Sequence, residues 1–169
     1  MTTMIVLSGL PGTGKSTISC AFSLECNAVW VRIDSIEQAI RESVLKPDSV
    51  GDAGYRVGFR IAEDNLRLGH DVIADSVNPW METRDGWREV GLRAGVNIVE
   101  VELQCSDVSE HRHRIESRKP DVANLASLTW QDVIKRDYRD WDRPPFIIDT
   151  AGQSVGYCVN KLLEAVRAA

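Results

Sequence analysis

The chain has 169 residues, 43% of them hydrophobic and 27% charged, which is enough for one globular domain with its own core. The four cysteines show neither a C-x-x-C pair nor metal-ligand spacing, so we expect reduced thiols rather than disulfides or a metal centre. The net charge of −5 disfavours a nucleic acid or an anionic membrane as partner, because both repel an acidic protein.

The first apolar segment, Met4-Ile-Val-Leu-Ser8, ends at a glycine-rich turn and predicts a buried strand of a parallel sheet. Helix-forming residues follow, and the same alternation recurs along the chain. Alternating strands and helices predict an α/β fold of three layers, a parallel sheet with helices on both faces, because parallel strands need crossover connections. The predicted strands are 4–8, 28–33, 72–74, 96–103 and 146–148. The predicted helices are 15–25, 35–44, 55–68, 79–94, 107–118, one from about residue 130, and 155–166, with Gly69 and Gly95 as helix ends and Asp107 as a helix N-cap.

Two polar segments interrupt this alternation. Residues 46–54 predict a loop near the acceptor side of the site. Residues 119–127 separate an arginine-rich helix from the helix near residue 130, and we expect the segment 119–130 to form a small lid. We find no repeat, linker or low-complexity tract in the sequence, so we expect a single domain over residues 1–169. The N-terminus resembles no secretory signal and the sequence has no apolar run of membrane-spanning length, so we expect a cytoplasmic protein.

The turn after the first predicted strand carries the strongest signal in the chain. It matches G-x-x-x-x-G-K-[ST] in full, between a strand and a helix. Glycines let the backbone direct its N–H groups toward an anion, and the following helix adds the positive end of its dipole. This P-loop pattern predicts binding of ATP with Mg²⁺: Lys15 at the β- and γ-phosphates, Ser16 on Mg²⁺ and Thr17 at the α-phosphate. The predicted nucleotide-binding loop consists of Gly9, Leu10, Pro11, Gly12, Thr13, Gly14, Lys15, Ser16 and Thr17.

Two aspartates follow strands at the sheet edge where open α/β sheets bind ligands. Asp34 follows the second strand and is a candidate base that accepts or orients the proton of an acceptor hydroxyl; the alternative is a helix N-cap. Asp75 ends an apolar strand as a Walker B acid does. It can bind Mg²⁺, contact the acceptor or serve as a turn residue. The sequence leaves open which of the two is the base.

The helix 107–118 adds arginines beside the expected lid. Arg114 and Arg118 are four residues apart and therefore share one helix face, so both can face ATP. The alternative for these arginines is a solvated charged face.

Aromatic residues flank the acceptor side of the predicted site. They either pack in the core or line the pocket, and lining would give the acceptor an apolar or planar surface. The histidines show no triad or metal-ligand spacing, and we expect them on the surface. The aromatic residues in question are Tyr55, Phe59, Trp80, Trp87 and Trp130, and the histidines are His70, His111 and His113.

Taken together, these residues resemble the small P-loop kinases: shikimate and gluconate kinases, the 5′-kinase domain of polynucleotide kinase, chloramphenicol phosphotransferase and the zeta toxins. Proteins of this pattern are often labelled AAA family ATPases. The resemblance extends over nearly the whole chain. It rests on residues 9–17, on Arg32-Ile-Asp34, on Asp75-Ser-Val-Asn78 with Arg84 and Trp87, on Arg114-Ile-Glu-Ser-Arg118 and on Ile148-Asp-Thr150.

The resemblance implies a five-stranded parallel sheet in the order 2-3-1-4-5 and transfer of the γ-phosphate of ATP to a hydroxyl of a small-molecule acceptor. It implies three catalytic residues, Lys15, Asp34 and Arg118, with Arg118 on the lid near the phosphates. It also implies Arg114 against the adenine ring, and Asp149 to Gly152 around the purine edge.

The sequence departs from this pattern near the second strand. Family members often carry an arginine a few residues after the acid, whereas here Ser35-Ile-Glu37 follows and Arg41 comes a full turn later. The loop after the third strand reads Asp75-Ser76 rather than a paired acid. Two other functions stay open, a regulatory ATP-binding switch or ATPase that acts on a protein partner, and a nucleotide or polynucleotide 5′-kinase. A monomer and a homodimer both fit the sequence.

Overall fold

The structure, a computed structural model, describes residues 2–118, 122–124 and 127–169. The expected lid, residues 119–130, therefore lies partly outside the described residues. The strands are β1 (Thr3–Ser8), β2 (Val29–Arg32), β3 (Val72–Asp75), β4 (Asn97–Gln104) and β5 (Phe146–Asp149). The helices are α1 (Lys15–Cys26), α2 (Ile33–Glu42), α3 (Ala53–Arg67), α4 (Met81–Ala94), α5 (Val108–Ser117), α6 (Trp130–Ile134) and α7 (Val155–Ala168).

The five strands form one parallel sheet in the order β2-β3-β1-β4-β5, which confirms the predicted topology. The central strand β1 pairs with β3 on one side and with β4 on the other. All six of its residues are buried. A strand with helices on both faces must be apolar throughout, which is why its sequence lacks the polar alternation of a half-exposed strand.

Two cores cover the two faces of the sheet, because successive side chains of a strand point to opposite sides. Ile5 and Leu7 pack with α1 and α7 on one face, in a cluster that includes Phe22 and Leu162. Met4 and Val6 pack with α3 and α4 on the other face. Helices on both faces complete the expected three layers. None of the helices in the part of the chain that the structure describes has the length and apolar character needed to span a bilayer.

Several helix ends follow directly from local chemistry. Gly95 ends α4 with a φ of 68°, a left-handed conformation that glycine adopts without steric cost. Asp107 caps α5, since its carboxylate accepts from the backbone N–H of Glu110 at 3.0 Å. Both ends confirm the predictions. The helix α3 begins at Ala53, inside the segment that was expected to be a loop.

Candidate active site

The glycine-rich loop joins β1 to α1 and follows a path that only glycine permits at its start. Gly9 has a φ of 137°, and a Cβ atom there would lie 2.3 Å from the backbone oxygen of Leu103 on β4. Gly12 and Gly14 also have positive φ. Gly14 is the N-cap of α1 and contributes no capping side chain, so the first N–H groups of this helix face the concave side of the loop. This is the arrangement that binds an anion at a helix N-terminus.

Hydrogen bonds hold the loop in shape. The Lys15 Nζ atom donates to the carbonyl oxygens of Gly9 and Leu10, each at 2.8 Å. The Thr13 hydroxyl donates to the Leu10 carbonyl at 2.9 Å. Burial lowers the pKa of Lys15 to about 8, while the nearby carboxylates of Asp75 and Asp34 act in the opposite direction. The ammonium group is therefore costly to bury here and would gain from an anion within the loop.

Asp75 ends β3 beside the loop and is 4% exposed. Its carboxylate accepts hydrogen bonds from the Trp30 indole at 3.2 Å and from the Ser16 hydroxyl, and the Arg32 Nε atom lies 3.9 Å away. Burial raises the pKa of Asp75 above its ordinary value, although Lys15 lowers it. A buried carboxylate in contact with a loop hydroxyl is suited to bind a cation that also contacts phosphate.

Ser16 and Asp75 therefore form a donor set that fits Mg²⁺. Both residues offer oxygen atoms, and Mg²⁺ in nucleotide sites commonly uses one or two carboxylates with phosphate oxygens and water. The described residues contain no group of three or more His, Cys, Asp or Glu that could hold a metal ion.

Asp34 lies in the first turn of α2, opposite the loop. The N-cap of this helix is Arg32, two residues earlier, so Asp34 is not the helix cap that the sequence left as an alternative. The helix begins earlier than predicted because β2 already ends at Arg32. The side chain of Asp34 lines the same cavity as Lys15 and Asp75.

This cavity has a volume of about 1070 Å³ and lies between the loop, α2, the end of β3 and α5. It brings together most of the residues predicted from the sequence. A second cavity, of about 690 Å³, adjoins the loop and is lined by Gly9, Leu10 and Thr13. Neither cavity includes Asp149 or Gly152 among its lining residues. The predicted residues that line the larger cavity are Pro11, Gly12, Gly14, Lys15, Ser16, Thr17, Asp34, Asp75, Arg114 and Arg118.

Arg114 connects α5 to the turn after β5. Its guanidinium donates to the Thr150 hydroxyl and carbonyl, both at 2.8 Å, and to Glu110 at 2.6 Å. The Thr150 hydroxyl in turn lies 3.1 Å from the Thr13 carbonyl of the loop. With three hydrogen bonds to two residues, Arg114 does not lie on a solvated charged face. It holds the turn after β5 against the nucleotide-binding loop.

Asp149 shapes this turn through its side chain. The carboxylate accepts from the backbone N–H groups of Ser106 at 3.0 Å and Ala151 at 3.1 Å, as well as from the Ser106 hydroxyl. These hydrogen bonds lower the pKa of Asp149, and the one from the Ser106 hydroxyl has the largest effect. Thr150 and Gln153 from the same turn line the larger cavity. Thr150 lies within the predicted range 149–152, whereas Gln153 was not predicted.

His111 is the clearest correction to the sequence analysis. It was expected on the surface, but it is 6% exposed, and its Nε2 atom lies 2.7 Å from the Pro11 carbonyl of the loop. Its ring packs edge-on against Trp130 of α6, with centroids 5.1 Å apart. The helical spacing from His111 to Arg114, Ile115 and Arg118 places all four on one face, and that spacing was a usable signal.

The aromatic residues turn out to be structural. Trp87 is fully buried, and Phe59 meets it edge-on with centroids 4.6 Å apart. Tyr55 packs beside both rings. Trp80 donates to Asp137 at 3.0 Å. Among the described residues that line the larger cavity, none of the five aromatic candidates occurs.

Comparison with known proteins agrees with this architecture. The family model AAA_33, described as an AAA domain, matches residues 4–136. The chain is 25% identical over 173 residues to an adenylyl-sulfate kinase of Synechococcus sp. (strain JA-3-3Ab), covering 95% of this chain and 91% of that protein. The structure of the Mycobacterium tuberculosis APS kinase CysC in complex with AMPPNP and APS is similar, with a TM-score of 0.73, 17% identity and 98% coverage of both chains. A gluconokinase from Sinorhizobium meliloti 1021 has a TM-score of 0.66 and 19% identity, with 98% of this chain and 92% of that chain covered.

Proposed function

The chain belongs to the AAA_33 family of AAA domains, and from this premise we propose that it is a kinase that transfers the γ-phosphate of ATP to a hydroxyl of a small-molecule acceptor. Its resemblance to the small P-loop kinases is confirmed. One observation supports the proposal: the glycine-rich loop, the pair of Ser16 and Asp75, and a second carboxylate, Asp34, line one cavity.

The proposed reaction uses residues from both sides of the cavity, the glycine-rich loop and α2. The oxygen of the acceptor hydroxyl forms a bond to the γ-phosphorus as the bond to the β-phosphate oxygen breaks and ADP leaves. Asp34 accepts the hydroxyl proton. Lys15 and Arg118 neutralise the charge on the transferring group. Bound at Ser16 and Asp75, Mg²⁺ would supply charge neutralisation at the phosphates.

The similar proteins support the choice of a kinase over a plain ATPase. The curated relatives are adenylyl-sulfate kinases or a probable one, and they match 95% of this chain. One similar structure holds AMPPNP together with APS. Such a pair requires room for a nucleotide and a second molecule, and the cavity of about 1070 Å³ is at the upper end of the usual range for ligand sites.

A panel of metabolites and antibiotics tests the proposal directly. Release of ADP from ATP with Mg²⁺ is measured with and without each compound, and we expect at least one hydroxyl compound to raise the rate well above its unstimulated value. Acceleration by a protein partner and by no small molecule would contradict a small-molecule kinase and favour a regulatory ATPase. Oligonucleotide binding with a steep salt dependence would instead favour a 5′-kinase.

Binding of ATP at pH 8.5 is expected to be accompanied by proton uptake at Lys15. Without nucleotide its pKa is about 8, so most of the side chain is neutral at this pH. Phosphates beside it favour the charged form and raise the pKa again, so binding must add the missing proton. Calorimetric titration with magnesium ATP in two buffers of different ionisation enthalpy measures the uptake.

The same titration at pH 7 serves as the control. Lys15 is already protonated there, so the enthalpies in the two buffers are expected to differ little. Equal proton uptake at both pH values would show that Lys15 does not meet the phosphates.

A further inference from the structure

One face of α2 forms the wall opposite the nucleotide-binding loop. Asp34, Glu37, Gln38 and Arg41 all line the cavity, and their spacing of three, four and seven residues places them in one stripe. Asp34 is the proposed base. An acceptor hydroxyl that reaches Asp34 therefore brings the rest of the acceptor molecule against the other three side chains.

Arg41, the cationic residue of this wall, already forms an ion pair. The Arg41 Nη2 atom lies 3.0 Å from the Glu37 Oε2 atom, in a pair one helical turn apart. The helix α3 packs closely against Glu37, because a Cβ atom on Gly54 of α3 would lie 2.5 Å from the Glu37 Cγ atom. The side chain of Glu37 is 21% exposed, so α3 holds this carboxylate at the edge of the cavity.

The polar groups further along the wall also favour a ligand that donates hydrogen bonds over one that accepts them. The Gln38 amide donates to Glu42 at 2.9 Å, and the Asn124 amide donates to the same oxygen at 2.8 Å. Gln38 and Asn124 both line the cavity. Each has thus committed an N–H group to Glu42, while its amide oxygen makes none of these bonds.

The other cations that the structure describes in this cavity belong to other elements than α2. Lys15 belongs to the loop, and Arg114 and Arg118 belong to α5 and its C-cap. Arg136 follows α6. Arg118 and Arg136 are both near enough to Lys15 to lower its pKa by charge repulsion. These groups surround the expected position of the phosphates.

The α2 wall therefore presents two carboxylates and only one guanidinium, which one of those carboxylates neutralises. An anionic acceptor would meet repulsion from Asp34 with no unpaired cation of α2 to offset it. Building on the proposed function, we infer that the acceptor is a cationic hydroxyl compound of the amino sugar or amino alcohol class, whose ammonium group shares the Glu37 carboxylate with Arg41. Adenylyl sulfate and gluconate, the anions for which similar proteins are named, do not fit this wall.

The test compares acceptors that differ mainly in charge. Release of ADP is measured with a set of amino sugars and amino alcohols, with their neutral parent sugars and polyols, and with the corresponding sugar acids and adenylyl sulfate. Glucosamine, glucose and gluconate form one such series. We expect kcat/KM for the best amine to exceed that for its neutral parent by about tenfold, since one charge-assisted hydrogen bond contributes roughly that factor. The acids are expected to stay at background.

Each other outcome is decisive. Stimulation by the acids or by adenylyl sulfate, or equal use of the neutral parents, would overturn the inference and leave the kinase in place. If no compound of any charge stimulates a protein that still binds ATP, the proposed function itself fails, and the inference fails with it.

Substitution of Glu37 provides a second readout. Glu37→Gln is expected to raise KM for the amine about tenfold while kcat changes little and KM for the neutral parent stays the same. Glu37→Asp keeps the charge and should retain part of the preference for the amine. The matched control is Glu89→Gln, since Glu89 also pairs with an arginine four residues later, at 3.6 Å, but on the exposed side of α4. An unchanged preference in Glu37→Gln would exclude Glu37 as the ammonium partner.

Discussion

Asp34→Asn is expected to slow phosphate transfer by about 10²- to 10⁴-fold while ATP binds with nearly unchanged affinity, because a general base contributes a factor of that size. Asparagine keeps the shape of the side chain but cannot take a proton from the acceptor hydroxyl. Asp34 lies on α2, across the cavity from the loop, so its loss removes no proposed contact to the phosphates. Calorimetry gives the ATP affinity, and single-turnover transfer to an acceptor found in the panel gives the rate.

The control for this substitution is Asp64→Asn, an equivalent change on the exposed surface of α3, where transfer should remain at the level of the unmodified protein. A slow Asp64→Asn protein would indicate a general effect of lost charge. Undiminished transfer by Asp34→Asn would move the role of base to Asp75, the alternative that the sequence left open.

Lys15→Ala is expected to lower kcat/KM by about 10³-fold or more, since groups that stabilise the transferring phosphoryl are worth factors of this order. It should weaken ATP binding as well. In the unliganded loop this lysine also donates to the carbonyls of Gly9 and Leu10, so its loss frees two backbone acceptors that it had satisfied. Transfer rates and ATP affinity are measured on the same preparation, with circular dichroism to verify the fold.

Lys161→Ala is the matched control for loss of a lysine. Its side chain lies on α7, pairs with Glu164 at 2.7 Å and is not among the residues that line the cavity. Transfer should be unaffected. Normal transfer by a folded Lys15→Ala protein would remove the basis for a nucleotide site in this loop.

The architecture was predictable because the local sequence indicates each helix and strand. An uninterrupted apolar run such as 4–7 can only be a strand covered on both faces, and the glycine-rich motif after it defines the strand, turn and helix together. The resemblance to known kinases then provided the order of the strands. Helix ends such as Gly95 followed from single-residue chemistry, the positive φ that glycine tolerates.

The parts that escaped prediction depend on contacts between distant segments. His111 has the sequence context of a surface residue. In the fold its ring lies 2.7 Å from the carbonyl of Pro11, which is 100 residues away in sequence. The contact of the Asp149 carboxylate with Ser106, 43 residues away in sequence, was likewise not predicted. Pairing between Glu37 and Arg41 follows from helical spacing, but the cavity that they line appears only when α2 is packed against the rest.

The acceptor wall is one stripe of a single helix of 10 residues, whereas the groups expected to handle ATP come from other elements. The choice of acceptor can therefore change through a few substitutions in α2 that leave the glycine-rich loop as it is. For an engineer, positions 37, 38 and 41 form a compact library in which selectivity is varied at little risk to catalysis. Replacing Glu37 with a cationic residue is the smallest such experiment, and it would retarget the enzyme toward acids.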